Sequence, residues 1–427
     1  MTRPIDHPQR YALVNELHAR PFPSIQPPSH AVYLAIKEPH EAHNRDRARD
    51  MAHLNDLLGR SSTPPPGAEA THFSGPLGRG EVKWESHTEF VTYSAFLPGL
   101  PARPFDPAEA QVFPADWLET APGKVVSAIL IRVEPMPETE ASLLARLEDW
   151  FVPESLAAAR VVDGAAVVAG DFRIDAAGQM RFAVFVRPGT GKRRVGRIVQ
   201  RLCEIETYRA MSMLGLTRAR ELTGRLNALD PRLSELVTGL EAGAGAPEAA
   251  LHELLTISAE LESLAVRHSF RFGATHAYEA IVHQRIGALR EAPIGGRQSF
   301  AEFMMRRYDP AMRTVKSAES RLAAMADRAG RAAELLRTRV EVGRLAENHK
   351  LLESMDRRAD LALRLQHTVE GLSVVAISYY AVSLGGYVLA PLAERAGFGK
   401  PEVLALLTPV VMVLVWALIR RLRRRAH

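Results

Sequence analysis

Cysteine is all but missing from this 427-residue chain. Cys203 stands alone, which excludes an internal disulfide and fits a reducing compartment. The first twenty residues, MTRPIDHPQRYALVNELHAR, contain no continuous apolar run of the kind a cleaved signal peptide requires. Catalytic signatures are missing too. Gly-x-Ser-x-Gly, His-Glu-x-x-His and Cys-x-x-Cys do not occur, so nothing in the motifs speaks for an enzyme. RPGTGKRR (187–194) comes nearest to a phosphate loop, but Val186 stands where the first glycine should be and Arg193 where the hydroxyl should be. What it leaves is a glycine turn before a helix bearing Lys192, Arg193, Arg197 and Arg201, a candidate patch for an anion or a lipid headgroup.

Charge is also missing over one long stretch. From Val369 to Leu392 the only charged residue is Glu370, and these 24 residues compare with the roughly 20 a helix needs to cross a bilayer. A polar link, AERAGFGKPE, carries the turn residues Gly397, Gly399 and Pro401. A second apolar run, Val403 to Ile419, contains Pro409, which a membrane helix tolerates. The net charge of +5 is largely a tail property, since five of the last eight residues are arginines (Arg420, Arg421, Arg423, Arg424, Arg425). A basic tail beside an apolar helix reads as a membrane-side anchor, and no nucleic-acid partner is expected. The charges of the link nearly cancel, whereas Arg357, Arg358 and Arg364 flank the first run and the arginine tail follows the second. The positive-inside bias therefore predicts two antiparallel spans with both termini in the cytoplasm.

Within the first run the polar residues form two stripes. At 100° per residue, Ser373, Tyr380, Ser383 and Tyr387 fall within about 80° of one another, a face suited to a pore or to helix contacts. Gly371, Ser378 and Gly385, seven apart, make a small-residue face suited to close helix packing.

Between Pro310 and Glu370 there is no proline. Val315, Leu322, Met325, Ala329, Ala333, Leu336 and Val340 recur at helical spacing. This predicts one stalk helix running into the first span. A helix so polar needs neighbours, which points to a homo-oligomer through stalk and spans.

The preceding text predicts an α+β protein. Residues 1–190 form a mixed or antiparallel α/β domain, and residues 191–308 form a helical region. A stalk follows at 309–368, then a membrane hairpin at 369–420 and a basic tail at 420–427. Strands are expected at 31–36, 81–96, 124–133, 165–174 and 181–186, and helices at 39–58 and 138–151. PLGRGE and DAAGQ are hairpin-like turns. In the helical region a break is expected near Leu229–Pro231, with separate helices at 251–266 and 273–291.

Eight histidines precede residue 90, and His40 and His43 could share a helix face, yet no partner set completes a metal signature. His276 and His283, seven apart, could share another. NELHARPFP crowds Asn15, Glu16, His18 and Arg20 at a helix end that Pro21 terminates.

HPQRYALVNELHARPFP and LLESMDRRADLALRLQHTVEGLSVVAISYYAVSLGGY resemble the signature segments of a family of uncharacterised bacterial membrane-anchored proteins. The resemblance implies a membrane anchor and carries over no functional residue; the bacterial inner membrane is the expected location. The order of parts is similar to the CorA-type magnesium transporters, with a cytoplasmic α/β domain, a stalk continuing into the first span, a second span and a basic tail. That likeness would imply transport of a divalent cation; otherwise no cofactor is expected. The Gly-Met-Asn of those transporters is absent, and Gly385-Gly386-Tyr387 holds the comparable place.

Overall fold

The computed structural model describes residues 6–16, 22–39, 45–242, 246–395 and 399–426. Its strands are β1 (Ser29–Lys37), β2 (His72–Leu77), β3 (Gly80–Ser86), β4 (Phe90–Pro98), β5 (Lys124–Pro135), β6 (Ala157–Val161), β7 (Ala166–Ile174), β8 (Met180–Val186) and β9 (Ala292–Pro293). They form one mixed sheet in the order β2-β3-β4-β1-β5-β8-β7-β6-β9. Only β5 and β8 pair parallel among the described strands. Both hairpin-like turns join paired strands, β2 to β3 and β7 to β8. The run at 81–96 is two antiparallel strands rather than one.

Alternation sends successive side chains to opposite faces. On one face Val32, Leu34, Val82, Trp84, Val91 and Tyr93 share a core with Leu54, Leu57 and Leu58 of α2 (Arg47–Arg60), Trp117 of α3 (Ala115–Glu119) and Leu143 and Leu147 of α4 (Glu140–Trp150). A short helix, α1 (Arg10–Glu16), precedes them. Asp46 caps α2 and Thr139 caps α4, each through a side-chain oxygen. The other face buries Tyr33, Ile129, Ile131, Phe182 and Val184, with α5 (Lys192–Ala242) packed across β5 and β8.

The helices are longer than their sequences suggest. α5 runs through Pro231, and α6 (Pro247–Leu289) is continuous where two helices were expected. A proline inside a helix costs about 3 kcal/mol. Here Leu229 and Leu233 are buried beside it, and Asp230 pairs with Arg321 at 2.9 Å and Arg328 at 2.5 Å, both on the helix that begins at Asp309. α6 passes Gly273 because Phe272 and Thr275 are buried, and Gly215 of α5 leaves room for Thr275.

After α7 (Phe300–Arg307), α8 extends as one helix from Asp309 to Arg395, and α9 (Lys400–Ala426) follows. By internal packing the chain divides into Met1–Ala244 with His252–Ala332, and Gly245–Leu251 with Ala333–His427. In the first unit Val315, Leu322, Met325 and Ala329 of the expected stripe are buried. In the second, every residue from Glu341 to Val369 is exposed.

Candidate functional site

β3 turns Val82 and Trp84 into the α2–α4 core, so Lys83 and Glu85 face the opposite way. β4 likewise presents Phe90, Thr92, Ser94 and Phe96 on that face, and β1 presents Tyr33. Opposite them α5 lays Gln200, Cys203, Glu204, Thr207 and Tyr208, a helical spacing of three and four. Together with Arg285 and Ala288 of α6, and Phe22, these residues enclose a chamber of about 300 Å³.

The chamber mixes aromatic rings with polar groups, and the polar groups are tightly bonded. Lys83 Nζ lies 3.2 Å from Glu85 Oε1 and donates to Gln200 Oε1 at 3.1 Å. Gln200 in turn donates to Glu204 at 2.7 Å, and Arg285 pairs with the second oxygen of Glu204. Thr207 donates to the Tyr33 hydroxyl at 2.8 Å. Burial pushes the Tyr33 phenol far up, and burial likewise raises the Cys203 thiol. Cys203 itself is buried in the chamber wall.

An open groove adjoins the chamber and shares Arg201 and Ala288 with it. Its walls are Arg194, Arg197 and Arg201 of α5, Arg290 just beyond α6, Val162 and Gly287. Asp163 pairs with Arg290 at 2.6 Å and with Arg194 at 3.6 Å. Arg201 donates to the Ala288 carbonyl at 3.0 Å, and burial, followed by the charges of Arg197 and Arg285, pulls its guanidinium pKa down. Neither Arg197 nor Arg201 forms an ion pair among the described residues. The two carboxylates close by are already engaged, Asp163 by Arg194 and Arg290 and Glu204 by Arg285.

Of the patch expected from sequence, Arg197 and Arg201 line this groove, whereas Lys192 and Arg193 are exposed outside its lining. Arg194 and Arg290 were not singled out. Arg290 could not have been, because only the return of α6 brings it beside α5. Of the Asn15–Phe22 motif, the side chains of Asn15, Glu16, His18 and Arg20 lie outside the described residues; Phe22 lines the chamber.

A second cleft, at the far end of β1 and β4, is lined by His30, Arg79, Asp106 and Glu109, among others. Burial raises the Glu109 carboxyl to about 7; its Oε1 accepts the Asp106 N–H at 3.1 Å, while Oε2 is buried without a partner. Burial lowers the pKa of His30, whose ring bonds the Gly99 carbonyl at 2.9 Å. His276 and His283 meet carboxylates of α8, Glu319 at 2.6 Å and Asp309 at 3.5 Å. Among the described residues no group of three or more His, Cys, Asp or Glu side chains is placed to hold a metal. His40 and His43 lie outside them.

In the second unit α8 and α9 are each long and apolar enough to cross a membrane, and only 11% and 6% of their apolar stretches are buried. Ser378 is buried, and a β-carbon at Gly385 would meet Leu407 of α9 at 2.9 Å, whereas Gly371 has open space around it. On the other stripe Ser373 donates to the Val369 carbonyl, Ser383 is half-buried, and Tyr380 and Tyr387 are exposed.

One family model, described as a protein of unknown function (DUF3422), matches residues 5–426. No curated protein matches the chain.

Proposed function

We propose that this chain, which belongs to the DUF3422 family, is a multi-pass protein of the bacterial inner membrane. In this reading α9 and the end of α8 are the two spans, both termini are cytoplasmic, and the large domain has a binding or scaffolding role. The exposure of the helix pair carries this reading. Eighteen large apolar side chains between Val369 and Leu418 are exposed. At about 1.5–3 kcal/mol each, leaving them in water would forfeit several tens of kcal/mol, more than the 5–15 kcal/mol by which domains are stable. Lipid removes that cost, and the arginines flanking the pair set the orientation.

Alkaline carbonate washing of membranes tests the anchoring: retention in the pellet with release by detergent is expected, and release by carbonate alone refutes it. For topology, a cysteine replacing Glu402 should react with an impermeant maleimide from the outer face in intact cells. Cys203 is only 3% exposed and gives little background. Protection of Glu402→Cys would reverse the orientation.

Self-association through the stalk belongs to the same reading. From Glu341 to Val369 the helix is wholly exposed yet carries Val342, Leu345, Leu352, Met355 and Leu363, and an isolated helix of that kind is marginal in water. Its five acids (Glu341, Glu347, Glu353, Asp356, Asp360) match five bases (Arg344, Lys350, Arg357, Arg358, Arg364), so copies can align without net repulsion. The exposed Tyr380 and Tyr387 favour a second reading, a CorA-like divalent-cation pathway between copies. Flux of a divalent cation into proteoliposomes tests it. No flux from a verified oligomer ends that reading, and full flux from Tyr380→Leu with Ser383→Ala ends the role of the Ser/Tyr face.

A further inference from the structure

We propose that the arginine groove and the chamber it opens into form one binding site for a soluble phosphate monoester, with the phosphate between Arg197 and Arg201 and the hydroxylated body in the chamber. This gives chemical content to the binding role of the large domain and does not depend on the anchoring.

Arg197 and Arg201 stand one helical turn apart on α5, so their guanidinium groups reach into the same groove. Of the carboxylates close by, Asp163 is taken by Arg194 and Arg290 and Glu204 by Arg285. Four like charges with fewer carboxylates than arginines raise the energy of the empty site, and an incoming dianion lowers it. Guanidinium forks match phosphate oxygens two at a time, and a monoester carries close to two negative charges at neutral pH.

Arg201 lines both spaces, so a phosphate held there has its ester oxygen directed toward the chamber. The chamber walls offer the hydroxyls of Thr92 and Ser94 and the amide of Gln200, with the rings of Phe90 and Phe96 beside them. Its volume of about 300 Å³ sits at the low end of ligand pockets and suits a sugar or nucleoside. Lys83, Glu85, Gln200 and Glu204 in its walls favour a body that can hydrogen-bond over an acyl chain, which cannot.

The test uses the full chain in detergent and measures thermal unfolding and equilibrium binding. Inorganic phosphate is the first probe, at ionic strength matched with chloride. A panel of sugar and nucleoside monophosphates follows, with their unphosphorylated parents and with phosphatidic acid vesicles. Inorganic phosphate is expected to bind and to raise the melting temperature. At least one monoester should bind about tenfold or more tighter than inorganic phosphate, and each should lose at least about tenfold in Arg197→Gln with Arg201→Gln. Lys192→Gln with Arg193→Gln should retain binding. Matching melting temperatures without ligand show that the variants fold. Phosphate binding that survives the Arg197/Arg201 change, or no phosphate binding, overturns the site. Esters no tighter than inorganic phosphate overturn the role of the chamber, and binding of the vesicles alone overturns the soluble ligand. Binding of only the unphosphorylated parents sinks the phosphate assignment while leaving a binding role for the domain intact.

Discussion

Gly196 of α5 lies under the carbonyl of Pro23, so close that a β-carbon at position 196 would stand 1.8 Å from that oxygen. The contact seats residues 22–25 on the helix, helped by the Ile25 N–H bonding the Lys192 carbonyl at 3.2 Å, and it places Phe22 at the chamber. Gly196→Ala must push the segment away. A loss of about 1–3 kcal/mol is expected, together with quicker proteolysis near residue 22. Thermal melts and limited proteolysis measure both, and unchanged behaviour would mean that the segment is not held there.

Glu109 makes stability depend on pH. Its carboxyl titrates at about 7 in the folded chain against an ordinary 4.5, so folding favours the protonated acid. That stabilisation is complete below about pH 4.5 and is lost as pH rises through 7, a swing of about 3 kcal/mol. Glu109→Gln, neutral throughout, should remove this part of the slope and gain on the wild type toward about pH 8. The difference between the two melting curves across pH isolates it from Asp50, which burial raises to about 6. A constant difference would show that the carboxyl is not buried as described.

Glu89 is 1% exposed and is paired with Arg271; the Tyr278 hydroxyl also donates to it, at 2.9 Å. Removing the guanidinium leaves a buried carboxylate uncompensated. Arg271→Met should therefore cost about 3–5 kcal/mol, and adding Glu89→Gln should restore part of that. Chemical denaturation of the single and double variants gives the coupling, and additive losses would contradict it.

The stalk yields a prediction read by size. Leu345→Glu with Leu352→Glu should lower the oligomeric state in detergent, measured by light scattering, without reducing the melting temperature of the large domain. Both side chains are more than 60% exposed in the single chain, so their loss costs the isolated subunit less than about 0.5 kcal/mol. An unchanged oligomer would remove the stalk as the interface.

Several elements were legible because their signals are local. Runs rich in β-branched and aromatic residues mark β1, β5, β7 and β8, the proline-free stretch marks α8, and the uncharged runs mark the apolar helix pair. β6 was not legible: AAARV is alanine-rich, a poor strand former in isolation, and it is a strand because β7 and β9 pair with it on both sides. The helix through Pro231 is not legible for the same reason, since Asp230 is held by arginines about ninety residues away.

The candidate site divides along the same line. Arg197 and Arg201 share a helix face by spacing alone, which sequence determines. That Arg290 joins them, that Lys192 and Arg193 stay outside, and that Lys83 meets Gln200 across 117 residues were decided by the packing of α5 and α6 on the sheet. Periodicity is a property of neighbours along the chain, while a cavity is made by surfaces that meet only after the chain has folded.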